Sequence, residues 1–325
     1  MELCPARPGW TELRFPLGQP ITPAPPHSEG FGRPAVSWNP SGRIYVGALG
    51  GLYRTDDCGA TWFDVPTGEA IGQRTGGMPV ALDRDGCLYI SAHRYVGLTP
   101  YELTEIKDSN SAQNLYVSCD DGVAWRVAYL VPPEPITGRG TRLTFITRIE
   151  ASATVPGLVV AFGRLRGPVP ERPNTTWGSL RSCDYGLTWE HLRRGGYNFV
   201  IDPTDPEYLF SSSTLSDNHP EADDPWLIRS TVASGGFARA TNLCRQGVTC
   251  AGLADLAVTA DGSRMWASRE NASVYVSHDL GRTWQFAFAG PIAPYQRPQY
   301  DFGLALATSP VDPRVLFVTS ADARL

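Results

Sequence analysis

Lysine is almost missing from this chain. Lys107 stands alone among 325 residues, and every other basic side chain is arginine. Basic residues number 28 against 33 acidic ones, for a formal net charge of −5, so no broad basic surface is expected to track a polyanion and a nucleic-acid partner is not expected. Long apolar runs are absent as well. No stretch of 18 apolar residues occurs, which argues against a helical membrane span. Residues 1–20 contain no apolar core of a secretory leader; a cytoplasmic location is expected, or secretion if a leader has been trimmed. No window carries the periodicity of a long amphipathic helix. Phosphate-binding loops, zinc-spaced Cys/His sets and nucleotide fingerprints are lacking, so neither cofactor nor metal is expected.

Glycine and proline are plentiful, at 33 and 28 residues, as a chain of short strands and frequent turns requires. Between them one phrase returns four times. It reads Thr55-Asp56-Asp57-Cys58-Gly59-Ala60-Thr61-Trp62 and Ser118-Cys119-Asp120-Asp121-Gly122-Val123-Ala124-Trp125, then Ser182-Cys183-Asp184-Tyr185-Gly186-Leu187-Thr188-Trp189 and Ser277-His278-Asp279-Leu280-Gly281-Arg282-Thr283-Trp284. The pattern is S/T-x-D-x-G-x-T-W, with Ala124 its one departure. The Asp carboxylate can accept hydrogen bonds from its own turn, and the Gly supplies a positive φ without a steric penalty. The Trp starts a strand and anchors it apolarly. Apolar triplets precede the copies, among them Leu115-Tyr116-Val117 and Val274-Tyr275-Val276, so each copy reads as a hairpin with an acidic tip. The four Asp residues are expected to fasten turns and the Trp residues to be buried.

The Trp positions are separated by 63, 64 and 95 residues. The last gap holds a worn copy, Arg229 to Phe237, with Phe237 in the Trp place. A second phrase, a strand pair around a polar turn, opens each repeat. It begins near Val36, Val80, Phe145, Phe199, Leu256 and Leu304, giving six starts against five finishes. The segment Pro8-Gly9-Trp10-Thr11-Glu12-Leu13 resembles a finish, and would complete the last repeat. Repetition at this period marks a repeat fold, and joining the termini would leave no sheet edge exposed. The expectation is a single all-β domain, 1–325: a six-bladed β-propeller of four-stranded antiparallel blades closed by the N-terminal segment, with seven blades as the alternative.

Seven cysteines leave one unpaired at least. Cys58, Cys119 and Cys183 sit in different copies of the motif, so pairing among them is not expected. Cys244 and Cys250 are close enough to pair, but reduced thiols are the expectation for a cytoplasmic chain. The sequons at Asn174 and Asn271 say nothing without a leader.

The four motif copies resemble the Asp boxes of the sialidase-type β-propellers. That resemblance implies four-stranded blades, six of them in sialidases, with the boxes at the turn between third and fourth strands, opposite the binding face. It also implies an Arg triad for a carboxylate, a Tyr nucleophile activated by a Glu, and an Asp acid. Tyr300 matches the Tyr at the start of the last blade. Phe31-Gly32-Arg33-Pro34 is similar to the phrase that carries the first Arg, with the Arg displaced by one. Asp boxes occur in non-catalytic propellers too, so they specify fold and not activity.

In such a ring the starts of the innermost strands converge at the axis. There the chain places Arg33, Arg74, Arg142, Tyr197, Asp255 and the pair Tyr300-Asp301. Tyr300, Asp301 and Asp255 are the candidate catalytic residues, and Arg33, Arg74, Arg142 and Tyr197 the candidate ligand contacts. Three second-to-third strand connections are long: His93 to Asn114, Gly163 to Gly178 and Ser213 to Pro225. Long loops of this kind are usually functional, and they bring in His93 and His219. An Arg-rich mouth would favour an anionic ligand. The expected function is a carbohydrate-active propeller, hydrolase- or lyase-like, acting as a monomer on a small molecule or glycan; the alternatives are a propeller that binds glycan or protein without catalysis, and a biosynthetic or assembly factor.

Overall fold

The computed structural model describes residues 33–37, 43–48, 51–67, 79–93, 113–129, 142–166, 176–192, 198–214, 225–231, 237–242, 253–269, 273–289 and 304–319. All regular structure in them is β. The first sheet holds β1 (Ala35–Val36), β2 (Ile44–Ala48), β3 (Gly51–Thr55) and β4 (Phe63–Val65). The second holds β5 (Val80–Leu82), β6 (Leu88–His93), β7 (Gln113–Ser118) and β8 (Arg126–Tyr129). The third holds β9 (Arg142–Ala151), β10 (Val159–Arg166), β11 (Thr176–Ser182) and β12 (Glu190–Leu192). The fourth holds β13 (Asn198–Ile201), β14 (Tyr208–Thr214), β15 (Pro225–Thr231) and β16 (Phe237–Asn242). The fifth holds β17 (Leu253–Val258), β18 (Met265–Arg269), β19 (Ser273–Ser277) and β20 (Gln285–Ala289), and a two-stranded sheet of β21 (Ala305–Thr308) and β22 (Leu316–Thr319) follows. Every pairing is antiparallel between consecutive strands. The first strands touch in the cyclic order β1, β5, β9, β13, β17, β21 and back to β1. This is the architecture of a β-propeller. All six strand pairs expected from the sequence are present, and the worn copy forms the hairpin β15–β16 with Phe237 at its start. Trp10 to Leu13 lie outside the described residues.

The core lies between neighbouring sheets, and the strand period of two feeds both sides. Along β6, Leu88, Ile90 and Ala92 pack towards the first sheet while Tyr89 packs towards the third. In β10, Val159 and Ala161 face the second sheet, and Val160 and Phe162 face the fourth. Buried on both faces, these strands read as nearly continuous apolar runs.

Each motif turn is a compact hydrogen-bonded unit. In the first copy Asp57 accepts the Thr61 amide at 2.8 Å and the Thr61 hydroxyl at 2.6 Å, and Thr55 Oγ1 donates to it at 2.7 Å. The same Thr55 oxygen accepts the Gly59 amide at 2.8 Å. The other copies repeat this, except that Ala124 offers Asp120 only its amide. Two successive residues are left-handed, not one: Cys58, Asp121, Tyr185 and Leu280 have φ of 59°, 61°, 58° and 53°, and the Gly after each lies between 78° and 88°.

The turns also join sheets. A Cβ on Gly122 would stand 2.3 Å from Val65, on Gly186 2.8 Å from Ala128, and on Gly281 2.1 Å from Leu227, each in the preceding sheet. Trp125 donates its indole N–H to Pro66 O at 3.0 Å and Trp189 to Ala128 O at 2.8 Å. Trp284 is buried, whereas Trp62, Trp125 and Trp189 are half-buried; the indoles of Trp125 and Trp189 lie across the seam between sheets and not inside one. A second repeated device was not anticipated. At the first-to-second turn, Ser37, Asp83, Ser152, Asp202, Thr259 and Ser309 each donate an amide to the carbonyl where the second strand begins, at 2.9–3.1 Å.

The expectation of reduced thiols is overturned. Cys87 and Cys119, at the adjacent ends of β6 and β7, form a disulfide, and Cys58 is disulfide-bonded as well. Cys183 is free, and Cys244 and Cys250 lie outside the described residues. One strand pairing, Leu88 opposite Ser118, holds Cys87 and Cys119 side by side, a proximity that sequence separation conceals.

Candidate functional site

Where the first strands meet, four charged side chains cross the axis. Counted from the residue paired nearest the first-to-second turn, Arg33, Arg148 and Asp255 each stand three residues back along the chain, Arg33 two residues ahead of β1 and the others within β9 and β17. Glu150 lies two residues beyond Arg148 in β9, so both leave the same face of the strand. Arg33 pairs with Glu150 and, at 3.7 Å, with Asp255. Arg148 pairs with Asp255 and lies 3.8 Å from Glu150. Both guanidinium groups donate to Leu256 O, at 3.0 Å from Arg33 and 3.2 Å from Arg148, and Arg33 Nε donates to Leu306 O. Asp255 accepts the amide of Leu256 at 2.8 Å and that of Leu306 at 2.7 Å. The Arg148 guanidinium also sits 5.4 Å above the ring of Phe199.

Two arginines and two carboxylates leave this level of the axis formally neutral. Their charges act on one another strongly because water is largely excluded. Burial presses to lower the Arg33 pKa, but the charges of Glu150 and Asp255 outweigh it, and the net shift is upward. Burial pushes the Glu150 carboxyl above its ordinary value, and the charges of Arg33 and Arg148 recover only part of that. One Glu150 oxygen serves both arginines; the other, Oε1, accepts no hydrogen bond among the described residues. A cavity of about 90 Å³ adjoins Arg33 and Glu150, walled by Val36, Val80, Ile149 and Val258. Ala153, Ala260 and Pro310 also line it, so it lies on the side of the first-to-second turns.

Of the residues expected at the site, Arg33 and Asp255 are brought together here, in direct contact. Asp255 lies inside β17 and not ahead of it. Arg142 is the first residue of β9, opposite Arg166, and His93 is the last of β6, opposite Gln113. Arg74, Tyr197, His219, Tyr300 and Asp301 lie outside the described residues. Sequence reasoning missed Arg148 and Glu150. They sit near the end of a ten-residue strand with two register shifts, so a search confined to strand starts passes over them; a basic and an acidic residue at i and i+2, flanked by Ile146, Ile149 and Ala151, were the available signal. Among the described residues no group of three or more His, Cys, Asp or Glu side chains is placed to hold a metal ion.

No family model matches the chain. The vacuolar protein sorting/targeting protein 10 of Zygosaccharomyces rouxii is 25 % identical over 232 residues, covering 67 % of this chain. The chain spans 12 % of that relative's length. Among solved structures, a gluconolactonase from Xanthomonas campestris matches with a TM-score of 0.55 at 15 % identity, over 90 % of this chain and 84 % of its own. An oligogalacturonate lyase in complex with manganese matches at 0.51 and 13 % identity, over 89 % and 73 %. The PQQ-bound aldose sugar dehydrogenase of Streptomyces coelicolor matches at 0.50 and 13 % identity, over 91 % of both chains. At such identities the likeness is one of fold. The chain is an all-β propeller of antiparallel sheets.

Proposed function

We propose that this protein is a carbohydrate-active propeller that takes its ligand at the axial mouth formed by the starts of the first strands. The observation that carries this reading is the four-residue ion network. It spans the axis between the first, third and fifth sheets, and so would serve as a floor for a ligand held there. Three propellers of similar fold, described as a gluconolactonase, an oligogalacturonate lyase and an aldose sugar dehydrogenase, act on sugars or sugar acids, which supports the ligand class. The S/T-x-D-x-G-x-T-W turns are read as Asp boxes and the ring as six-bladed, its last sheet completed by the segment around Trp10. The cyclic contacts of six first strands support that count. Preference for an anionic ligand then rests on Arg74 and Arg142, since Arg33 and Arg148 already face carboxylates. The disulfides favour a compartment in which they persist over the cytoplasm.

A second reading, binding without catalysis, is favoured by the same network. Glu150 and Asp255 are both ion-paired, and most glycoside hydrolases need two carboxyl groups free to act on a substrate. Screening neutral and acidic glycans and sugar lactones for binding and turnover, on the parent and on Tyr300→Phe and Arg142→Ala, separates the two. Turnover lost in Tyr300→Phe with binding kept supports the enzyme. Binding without turnover in the parent supports the second reading. If both variants bind and process every hit as the parent does, the site is not at this mouth.

A further inference from the structure

The first-to-second turns set the six first strands in register with one another, because Ser37, Asp83, Ser152, Asp202, Thr259 and Ser309 make the same turn hydrogen bond. Arg33, Arg148 and Asp255 stand four residues before the turn residues of their own sheets. Two residues before the turn residues stand Ala35, Ala81, Glu150, Val200, Ala257 and Ala307. All of these but Glu150 are apolar, none is larger than valine, and all five are buried. The ion network is therefore followed, towards the turns, by a level at which Glu150 is the one long side chain and has no charged counterpart in register. The cavity of about 90 Å³ lies here, with Ala35, Ala81, Glu150 and Ala307 on its wall.

Three residues on that wall have polar side chains: Arg33, Glu150 and Thr308. Each guanidinium nitrogen of Arg33 is engaged, on Leu306 O, on Glu150 and on Leu256 O. Thr308 donates its hydroxyl proton to Val258 O at 2.9 Å. Glu150 meets both arginines through Oε2, and its Oε1 accepts no hydrogen bond among the described residues. What these side chains leave open is acceptor capacity, so a molecule seated here is held by donating. An ammonium group would add net charge where two guanidinium groups already balance two carboxylates, and a buried unbalanced charge is costly. An amide would bring a carbonyl with no side-chain donor to meet it. A hydroxyl needs only the one acceptor, and Val36, Val80 and Val258 suit an alkyl chain behind it. An apolar cavity of about 150 Å³ holds benzene, so one of about 90 Å³ takes an end of roughly four non-hydrogen atoms.

We propose that this end of the axis, across the ion network from the starts of the first strands, binds a primary alcohol or the hydroxymethyl end of a larger molecule, which donates its hydroxyl proton to Glu150 Oε1. The test is a titration of the full chain, labelled with carbon-13 at its valine methyls, with 1-propanol, propionitrile and propylammonium, three probes of equal heavy-atom count. The methyl signals of Val36, Val80 and Val258 should shift to saturation with 1-propanol, with a dissociation constant on the order of millimolar. The nitrile, which can only accept, and the ammonium should each bind about ten-fold more weakly or worse. Ala260→Leu and Ala153→Leu enlarge side chains at the turn end of the cavity and leave Glu150 and its arginines unaltered; each should abolish the shifts at an unchanged melting temperature. Shifts that stay linear in 1-propanol, equal affinity for the nitrile or the ammonium, or parental affinity in either variant overturns the proposal. The comparison of alcohol with nitrile is made on the parent, so it does not depend on either variant folding.

Discussion

Replacing Asp255 by alanine tests whether the axial charges hold the propeller together. The side chain is 5 % exposed, accepts two backbone amides from different sheets and faces two guanidinium groups. Without it, the amides of Leu256 and Leu306 lose this acceptor and Arg33 and Arg148 share Glu150 alone. Breaking a buried pair by removing one partner costs about 3–5 kcal/mol, and a buried amide left unpaired costs about 1–3 kcal/mol. These contributions overlap, so the net loss is about 4 kcal/mol, which for a chain of this length lowers the melting temperature by roughly 6 °C. Glu150→Gln is the comparison. Among the described residues Glu150 accepts no backbone amide, and burial already favours its neutral form, so it should lose only about 1 kcal/mol. Urea unfolding of parent and variants, with midpoints compared at unchanged slope, gives both values. Asp255→Ala unfolding within experimental error of the parent, or Glu150→Gln proving the worse of the two, would refute the assignment.

Three further outcomes are expected. Gly281→Ala should destabilise far more than Gly86→Ala: both have positive φ, but only Gly281 would press a methyl to 2.1 Å from Leu227, whereas nothing lies within 4 Å at Gly86, and thermal melts of the two variants decide. Acid should lower stability only below about pH 4, because hydrogen bonds from Thr61, Thr188 and Thr283 help hold Asp57, Asp184 and Asp279 at about 2, below 3.8. A depressed carboxylate stabilises above its unfolded value and loses that as pH falls through its folded value. Glu150, raised from 4.5, has the opposite sign, so any gain in melting temperature on acidifying towards 4.5 should vanish in Glu150→Gln. Leu158→Cys should form a disulfide with Cys183, because Leu158 and Cys87 accept equivalent turn amides and Val159 pairs with Ser182 as Leu88 does with Ser118; failure of the unreduced variant to lose the free thiol counts against that equivalence.

The fold was legible because its signals are local. A Gly two residues after Asp in an S/T-x-D-x-G turn needs a left-handed backbone wherever it falls, so the motif survives in sequence as plainly as in space, and the six first-to-second strand pairs are each local in sequence. The Cys87–Cys119 bond was not legible, because it depends on strand register across a separation of 32 residues. Half of the axial network was anticipated for a different purpose: Arg33 and Asp255 were placed at the axis by topology, but nothing local shows that they touch. Arg148 and Glu150 lie near the far end of a long strand, where a charged residue reads as an outward-facing one until the position of the neighbouring sheets is known.

The apolar clusters join each sheet only to its neighbours, so they fix the angle between adjacent sheets and leave the width of the axis free. The ion network links the first, third and fifth sheets directly, and a link between alternate sheets sets the distance across the ring. Burying four charges is poor economy for stability alone, since apolar side chains of similar volume often do as well. The arrangement is better suited to specificity of position. Arg33 reaches Glu150 of the third sheet, Asp255 of the fifth and the Leu306 carbonyl of the last. One guanidinium thus holds three sheets at fixed distances from the first, and the axis cannot widen at this level without breaking several charged contacts together.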